Sequence, residues 1–138
     1  MPHKYSLRFG IILSLLLSSC INETWGYTRL SSQRIEELLS GKLISNIGTP
    51  NVRSRPFREK FGSDFQWDGY YQELFGRQFS GVWSVVDAQL CVQIDGQLIR
   101  CRDVWWDESS QTILITDLRN PDSEERDQLV EMKVYNID

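Results

Sequence analysis

Leu90-Cys91-Val92-Gln93-Ile94-Asp95-Gly96-Gln97-Leu98-Ile99-Arg100-Cys101-Arg102-Asp103-Val104 holds two apolar runs on either side of an Asp-Gly pair. Asp-Gly between such runs is the strongest short-range signal for a β-hairpin, because both residues tolerate the positive φ of a tight turn. A strict two-residue turn pairs Cys91 with Arg100. One further residue, in the loop or as a bulge, sets Cys91 opposite Cys101. The expectation is therefore a non-ideal turn joined to a cross-strand Cys91–Cys101 disulfide.

Other runs with a period of two lie on both sides of this hairpin. Lys42 to Ile47, Pro56 to Phe61, Phe65 to Tyr71, Phe79 to Val86, Thr112 to Asp117 and Leu129 to Tyr135 all read as strands, separated by Gly-, Pro- and Asp-rich breaks. Gly48-Thr49-Pro50-Asn51, Gly62-Ser63-Asp64 and Arg119-Asn120-Pro121-Asp122 are the breaks. Gly81 falls on the same face as Phe79, Trp83 and Val85, where it leaves room for a neighbouring aromatic ring or a close backbone. Ahead of these strands, Ser31 or Ser32 can cap a helix from Gln33 to about Ser40, with Ile35, Leu38 and Leu39 on one face and Gly41 ending it. The fold class is mainly β: one short N-terminal helix followed by a meander of seven or eight antiparallel strands, closed as a small barrel or packed as a sandwich.

Length and composition fit one domain. The chain has 138 residues, 41% of them hydrophobic, with five Trp, five Tyr and six Phe, an aromatic load that disordered chains rarely carry. The charge is acidic, 15 Lys plus Arg against 19 Asp plus Glu. A nucleic-acid partner is not expected, since nothing concentrates positive charge at domain scale to meet phosphates. Arg53, Arg55, Arg58 and Lys60 form one local basic stretch, read as a solvated loop and strand edge.

The amino terminus carries an address. Lys4 and Arg8 precede the apolar run Ile11 to Leu17, which as a helix rises only about 10 Å and is too short to span a bilayer. A secretory leader is the natural reading. Leu17-Ser18-Ser19-Cys20 then resembles the bacterial lipobox. That resemblance implies diacylglyceryl transfer to the Cys20 thiol, cleavage before Cys20 and acylation of the new amino terminus. The organisation expected is a signal peptide over 1–19, a lipidated tether over 20–30 and a single β domain over 31–138. Ile21, where Asp would favour inner-membrane retention, points to the outer membrane facing the periplasm. With Cys20 lipidated, Cys91 and Cys101 are left as an even pair in an oxidising compartment.

Gly81-Val82-Trp83, Leu90-Cys91 and Cys101-Arg102-Asp103-Val104, preceded by Leu38-Leu39-Ser40-Gly41-Lys42, are similar to a group of small exported proteins found mainly in alphaproteobacteria. The likeness covers about Ile35 to Leu118. It implies a compact β fold and a disulfide, and it supplies no activity. Lipocalins share a G-x-W, but near their first strand, whereas Gly81 lies deep in this chain.

The chemical inventory is sparse. His3 is the only histidine and leaves with the leader, so no Ser-His-Asp or Cys-His nucleophile system and no histidine ligand for zinc is expected in the mature chain. No metal, cofactor or catalytic residue is assigned. Asp64 with Asp68, or Asp103 with Asp107 and Glu108, are the carboxylate groupings, read as solvated turns ahead of an acid/base pair or a calcium site. Trp67-Asp68-Gly69-Tyr70-Tyr71 and Trp105-Trp106-Asp107-Glu108 mix aromatic faces with carboxylates, a combination suited to sugar stacking. Trp67, Tyr70 and Trp106 are accordingly the candidate binding residues. Core packing is the bland alternative for them, with one of Trp105 and Trp106 inside and the other at the rim.

The function expected is that of a non-enzymatic, lipid-anchored envelope protein that binds or braces another envelope protein. A small-ligand or glycan binder using a barrel mouth is the first alternative. An inhibitor that plugs an enzyme cleft with Ile21 to Arg29 is the second.

Overall fold

The computed structural model describes residues 23–24, 26–48, 56–72, 76–116 and 129–137. The leader, Cys20, Trp25, Arg53, Arg55 and the Arg119–Asp122 turn lie outside the described residues. Within them the chain runs β1 (Glu23–Thr24), β2 (Tyr27–Arg29), α1 (Ser32–Leu39), β3 (Lys42–Ser45), β4 (Phe57–Phe61), β5 (Gln66–Tyr71) and β6 (Arg77–Val86). It continues through β7 (Gln89–Ile94), β8 (Arg100–Arg102), β9 (Val104–Asp107), β10 (Thr112–Thr116) and β11 (Leu129–Asn136).

The mainly β expectation holds, with two corrections. Eleven strands are described in place of seven or eight, and the helix is not the first element. β1 and β2 displace the helix from first place, and the count rises by these two and by the separation of β8 from β9 at Asp103. Residues 23–24 and 27–29, within the stretch expected to be tether, form two short strands, and β2 finds a long-range partner in β9, pairing Thr28 with Trp106 and Arg29 with Trp105.

The strands form one antiparallel sheet, curved as a half-barrel, in the order β1-β2-β9-β10-β11-β3-β4-β5-β6-β7-β8. Asp103 alone separates β8, the last strand of that order, from β9, the third. Chain continuity therefore leads the far edge of the sheet back to the near one. At this bend the strand leaves β7 and takes up β2. Asp103 holds the junction, accepting hydrogen bonds from Arg29 Nη2 at 2.8 Å and from Gln89 Nε2 at 3.1 Å.

Helix α1 starts where a side chain can cap it. The Ser31 hydroxyl accepts from the Arg34 amide, and Gly41, at φ +71°, follows the C-cap Ser40. Ile35 and Leu39 are buried against the concave side of the sheet, and the Ser32 hydroxyl accepts from the Ala88 amide at 2.7 Å, tying the helix to the β6–β7 turn.

Alternation sets the core. Phe57 and Phe61 of β4, Trp67 of β5, Trp83 of β6, Leu90 and Val92 of β7, Ile113 and Ile115 of β10 and Met132 of β11 are all buried. Gly81 makes the close approach anticipated for it: a Cβ there would stand 2.1 Å from the Gln93 carbonyl oxygen, on the neighbouring strand. Gly69 lies under the Trp67 ring, whose nearest carbon would be 2.3 Å from an added Cβ.

Candidate functional site

Glu59 shares the inward phase of β4 with Phe57 and Phe61 and is buried with them. A carboxylate in that position needs a cationic partner, and Arg102 of β8 provides it. Arg102 Nη2 donates to Glu59 Oε1 at 2.6 Å and Nη1 to Oε2 at 2.9 Å. Trp67 Nε1 adds a third donor to Oε1 at 3.1 Å, and Arg102 Nη1 also reaches the Thr116 carbonyl at 3.4 Å. Both side chains are about as inaccessible as a residue can be, at 0% and 1% exposure. The pair ties two distant strands together in the interior. One buried donor, Arg102 Nε, has no hydrogen-bond partner among the described residues.

Trp67, Tyr70 and Trp106 do not share a surface. Trp67 is 1% exposed and Trp106 8% exposed, both inward, whereas Tyr70 lies on the outer face, with the Arg58 guanidinium carbon 4.4 Å from its ring centroid. A sugar-stacking platform requires an open ring face, and neither tryptophan offers one. Trp106 donates through Nε1 to Glu108 Oε2 at 2.6 Å, so its polar edge is satisfied within the β9–β10 turn. Trp105, its neighbour, is only half-buried, which matches the expected split between inside and rim.

The carboxylates have local duties. Asp64 accepts from the Gln66 amide and Asp68 from the Ser80 hydroxyl. Asp107 accepts from the Ser109 and Ser110 hydroxyls and the Ser109 amide, and these bonds hold its carboxyl below its ordinary range. Among the described residues, no cluster of three His, Cys, Asp or Glu is placed to hold a metal ion.

The hairpin that organises the sequence also presents the most exposed apolar pair among the described residues. Cys91 lies directly opposite Cys101 and the two form a disulfide, with Val92 opposite Arg100 and Leu90 opposite Arg102. This register has one more residue on the β8 arm than a two-residue turn allows, as anticipated. Beyond the staple, the Gln97 amide donates to the Ile94 carbonyl, Gly96 takes φ +75°, and the Asp95 amide donates to the Ser80 carbonyl of β6. The tip is thus held from two strands. On it, Leu98 is 87% exposed and Ile99 61% exposed.

Glu59, Arg102 and the Leu98–Ile99 tip were not singled out by the sequence. Glu59 could have been, since an acid in phase with two phenylalanines signals a buried partner. Compared with known proteins, the chain matches no family model, no curated protein and no solved structure.

Proposed function

We propose that this chain is a lipid-anchored cell-envelope protein that works by contact, bracing or binding another envelope protein through the outside of its sheet. Taking β8 and β9 as one strand bent at Asp103, the strands from β3 to β11 form a pairing circuit that β11 and β3 complete, and we read this as a small meander barrel.

The observation that carries the functional reading is the filled concave side. Trp67, Trp83, Phe57 and Phe61 are wholly buried there, and the Glu59–Arg102 pair occupies the space between strands. A ligand binder needs that space for its ligand. Here side chains take it, so recognition falls to the outer surface. The inhibitor alternative draws no support from Thr28 and Arg29, which are paired with β9 and anchored further by the Leu30 amide on the Val104 carbonyl.

The anchor rests on Leu17-Ser18-Ser19-Cys20 and the short apolar run before it. Metabolic labelling with a palmitate analogue tests it directly: label should follow Cys20, and a Cys20→Ala protein that still labels refutes the anchor. For the contact role, the full chain is cross-linked in intact cells and recovered from membranes. A repeated failure to recover any envelope protein joined to the outer face of the sheet overturns it.

A further inference from the structure

We infer that the outside of β11, β3 and β4 is a docking site for an acidic protein segment, an extended stretch whose alternate carboxylates are received by Arg58, Lys60 and Lys133. The inference rests on the contact role proposed above and names the chemistry of the partner.

Register brings the cations together. Lys133, Ser45 and Arg58 lie side by side in one row across β11, β3 and β4, and Tyr135, Leu43 and Lys60 form another row two residues along. The row between them holds Ile44 and Glu59, both buried, so alternation turns the two flanking rows outward. On β3 the outward positions are low, with Ser45 buried and Leu43 half-buried. Lys133 and Tyr135 rise exposed on one side of that floor, and Arg58 and Lys60 on the other.

These cations lack the counter-charges that others in the chain have. Arg29, Arg34 and Arg102 each contact a carboxylate, and the chain carries 19 Asp plus Glu against 15 Lys plus Arg. Yet Arg58, Lys60 and Lys133 form no ion pair among the described residues. Asp68, opposite Lys60 on β5, accepts from the Ser80 hydroxyl instead, and Glu131, two residues before Lys133, lies toward Tyr27 of β2. The Arg58 guanidinium rests over the Tyr70 ring, 4.4 Å from its centroid. That contact steadies the fork and leaves its N–H edges to donate to a carboxylate.

Charge complementarity selects an anionic occupant, and spacing selects its form. Arg58 and Lys60 are two residues apart on one strand, about 6.6 Å, the distance between alternate side chains of any extended segment. Lys133 stands two strands from Arg58, about 9.6 Å away at the backbone. A segment laid along β3 therefore has cations on both flanks. Asp68 beside Lys60 distinguishes a peptide from a continuous field of phosphates. Its carboxylate repels such a field, whereas a peptide has N–H groups to offer it.

The test has two arms. In the first, a short fluorescent peptide of alternating glutamate and threonine is titrated onto the full chain, beside the same peptide with glutamine for glutamate. The glutamate peptide should bind more tightly by about tenfold, and Arg58→Gln with Lys60→Gln should abolish that difference. Both side chains are exposed, so the fold is retained, and circular dichroism checks it. Arg34→Gln on α1 is the control and should leave binding unchanged. Equal binding of the two peptides, or an equal loss with Arg34→Gln, overturns the site. So does capture of the chain by phosphatidylglycerol vesicles through Arg58 and Lys60 with no binding of the peptide.

In the second arm, intact cells are treated with a carbodiimide, which joins a lysine amine directly to a carboxylate, and the joined peptides are mapped by mass spectrometry. Lys60 or Lys133 should be found joined to an aspartate or glutamate of an envelope protein. An envelope protein joined only elsewhere on the sheet leaves the contact role standing and overturns this site. Lys60 and Lys133 joined only to carboxylates of their own chain overturn it as well. No envelope protein joined at any position, by this reagent or by the cross-linking described above, overturns the contact role and the site together.

Discussion

Glu59 and Arg102, 43 positions apart in the chain, face each other in the interior and share two hydrogen bonds, at 2.6 and 2.9 Å. The indole N–H of Trp67 completes the arrangement on the carboxylate. Because the two side chains sit on β4 and β8, the pair ties the first half of the sheet to the strand that bends at Asp103.

Breaking this pair from one side should cost far more than removing it whole. Arg102→Met alone leaves a carboxylate buried without a counter-charge, and a loss of about 3–5 kcal/mol is expected. Glu59→Leu alone, which leaves the guanidinium buried without its counter-charge, should fall in the same range. Joined with Glu59→Leu, Arg102→Met should recover most of that stability, since the unsatisfied Arg102 Nε disappears as well. Urea denaturation of the two single variants and the double variant measures the difference. An additive double variant would show that the two groups do not act as a pair.

Gly81 tests the closeness of β6 and β7. With the Gln93 carbonyl oxygen 2.1 Å from any added Cβ, Gly81→Ala must push the two strands apart. We expect a loss of about 1–3 kcal/mol, the usual cost of overpacking. The neighbouring outward Ser80→Ala and Ser84→Ala serve as controls and should change stability by less than about 1 kcal/mol. Thermal melts of the three variants suffice.

Removing the staple should weaken the whole domain, not just the hairpin. The closed loop has a sequence separation of 10, and the chain-entropy model assigns it about 2.7 kcal/mol. For a domain of this size that is a fall in Tm of about 10 °C. Cys91→Ser with Cys101→Ser, followed by calorimetry, gives the number. An unchanged Tm would mean that the unfolded chain gains no freedom when the bridge is absent.

Tyr27 makes β2 sensitive to alkali. Burial raises its phenol above the ordinary value of 10.0, only partly offset by the hydrogen bond with Thr112, and the carboxylates of Glu131 and Asp107 push in the same direction as burial. The sign follows from the raised value. The neutral phenol's contribution is intact below pH 10, and it is lost as pH rises through the higher folded-state value, where a phenolate would face two carboxylates. Absorbance titration should show one tyrosine ionising late. Tyr27→Phe should remove that late ionisation and the stability loss that accompanies it.

The parts of this fold legible in the sequence are those that local chemistry decides. Asp95-Gly96 and the two cysteines specify the hairpin and its one-residue offset, and Ser31 and Gly41 delimit α1 to within a residue. What escaped depends on partners far along the chain. Tyr27–Arg29 is a strand only because β9 lies beside it, and nothing within residues 20–30 announces that. Residues 100–107 look like a single run in sequence, and the bend at Asp103 is created by Arg29 and Gln89, from two other strands. The aromatic groupings were legible as composition but not as direction. Trp67 and Trp106 point inward while Tyr70 points outward, because a strand's phase is fixed by its neighbours' register.

The join at Asp103 also decides how the molecule would yield under load. Tension on the chain ahead of Glu23 first meets the two residue pairs of β1 with β2, and then the two of β2 with β9. Only after these have peeled away does it reach the Leu30–Val104 hydrogen bond and helix α1 behind it. Under such a load the N-terminal strands would open a few pairs at a time, ahead of the stapled hairpin and the ion-paired interior.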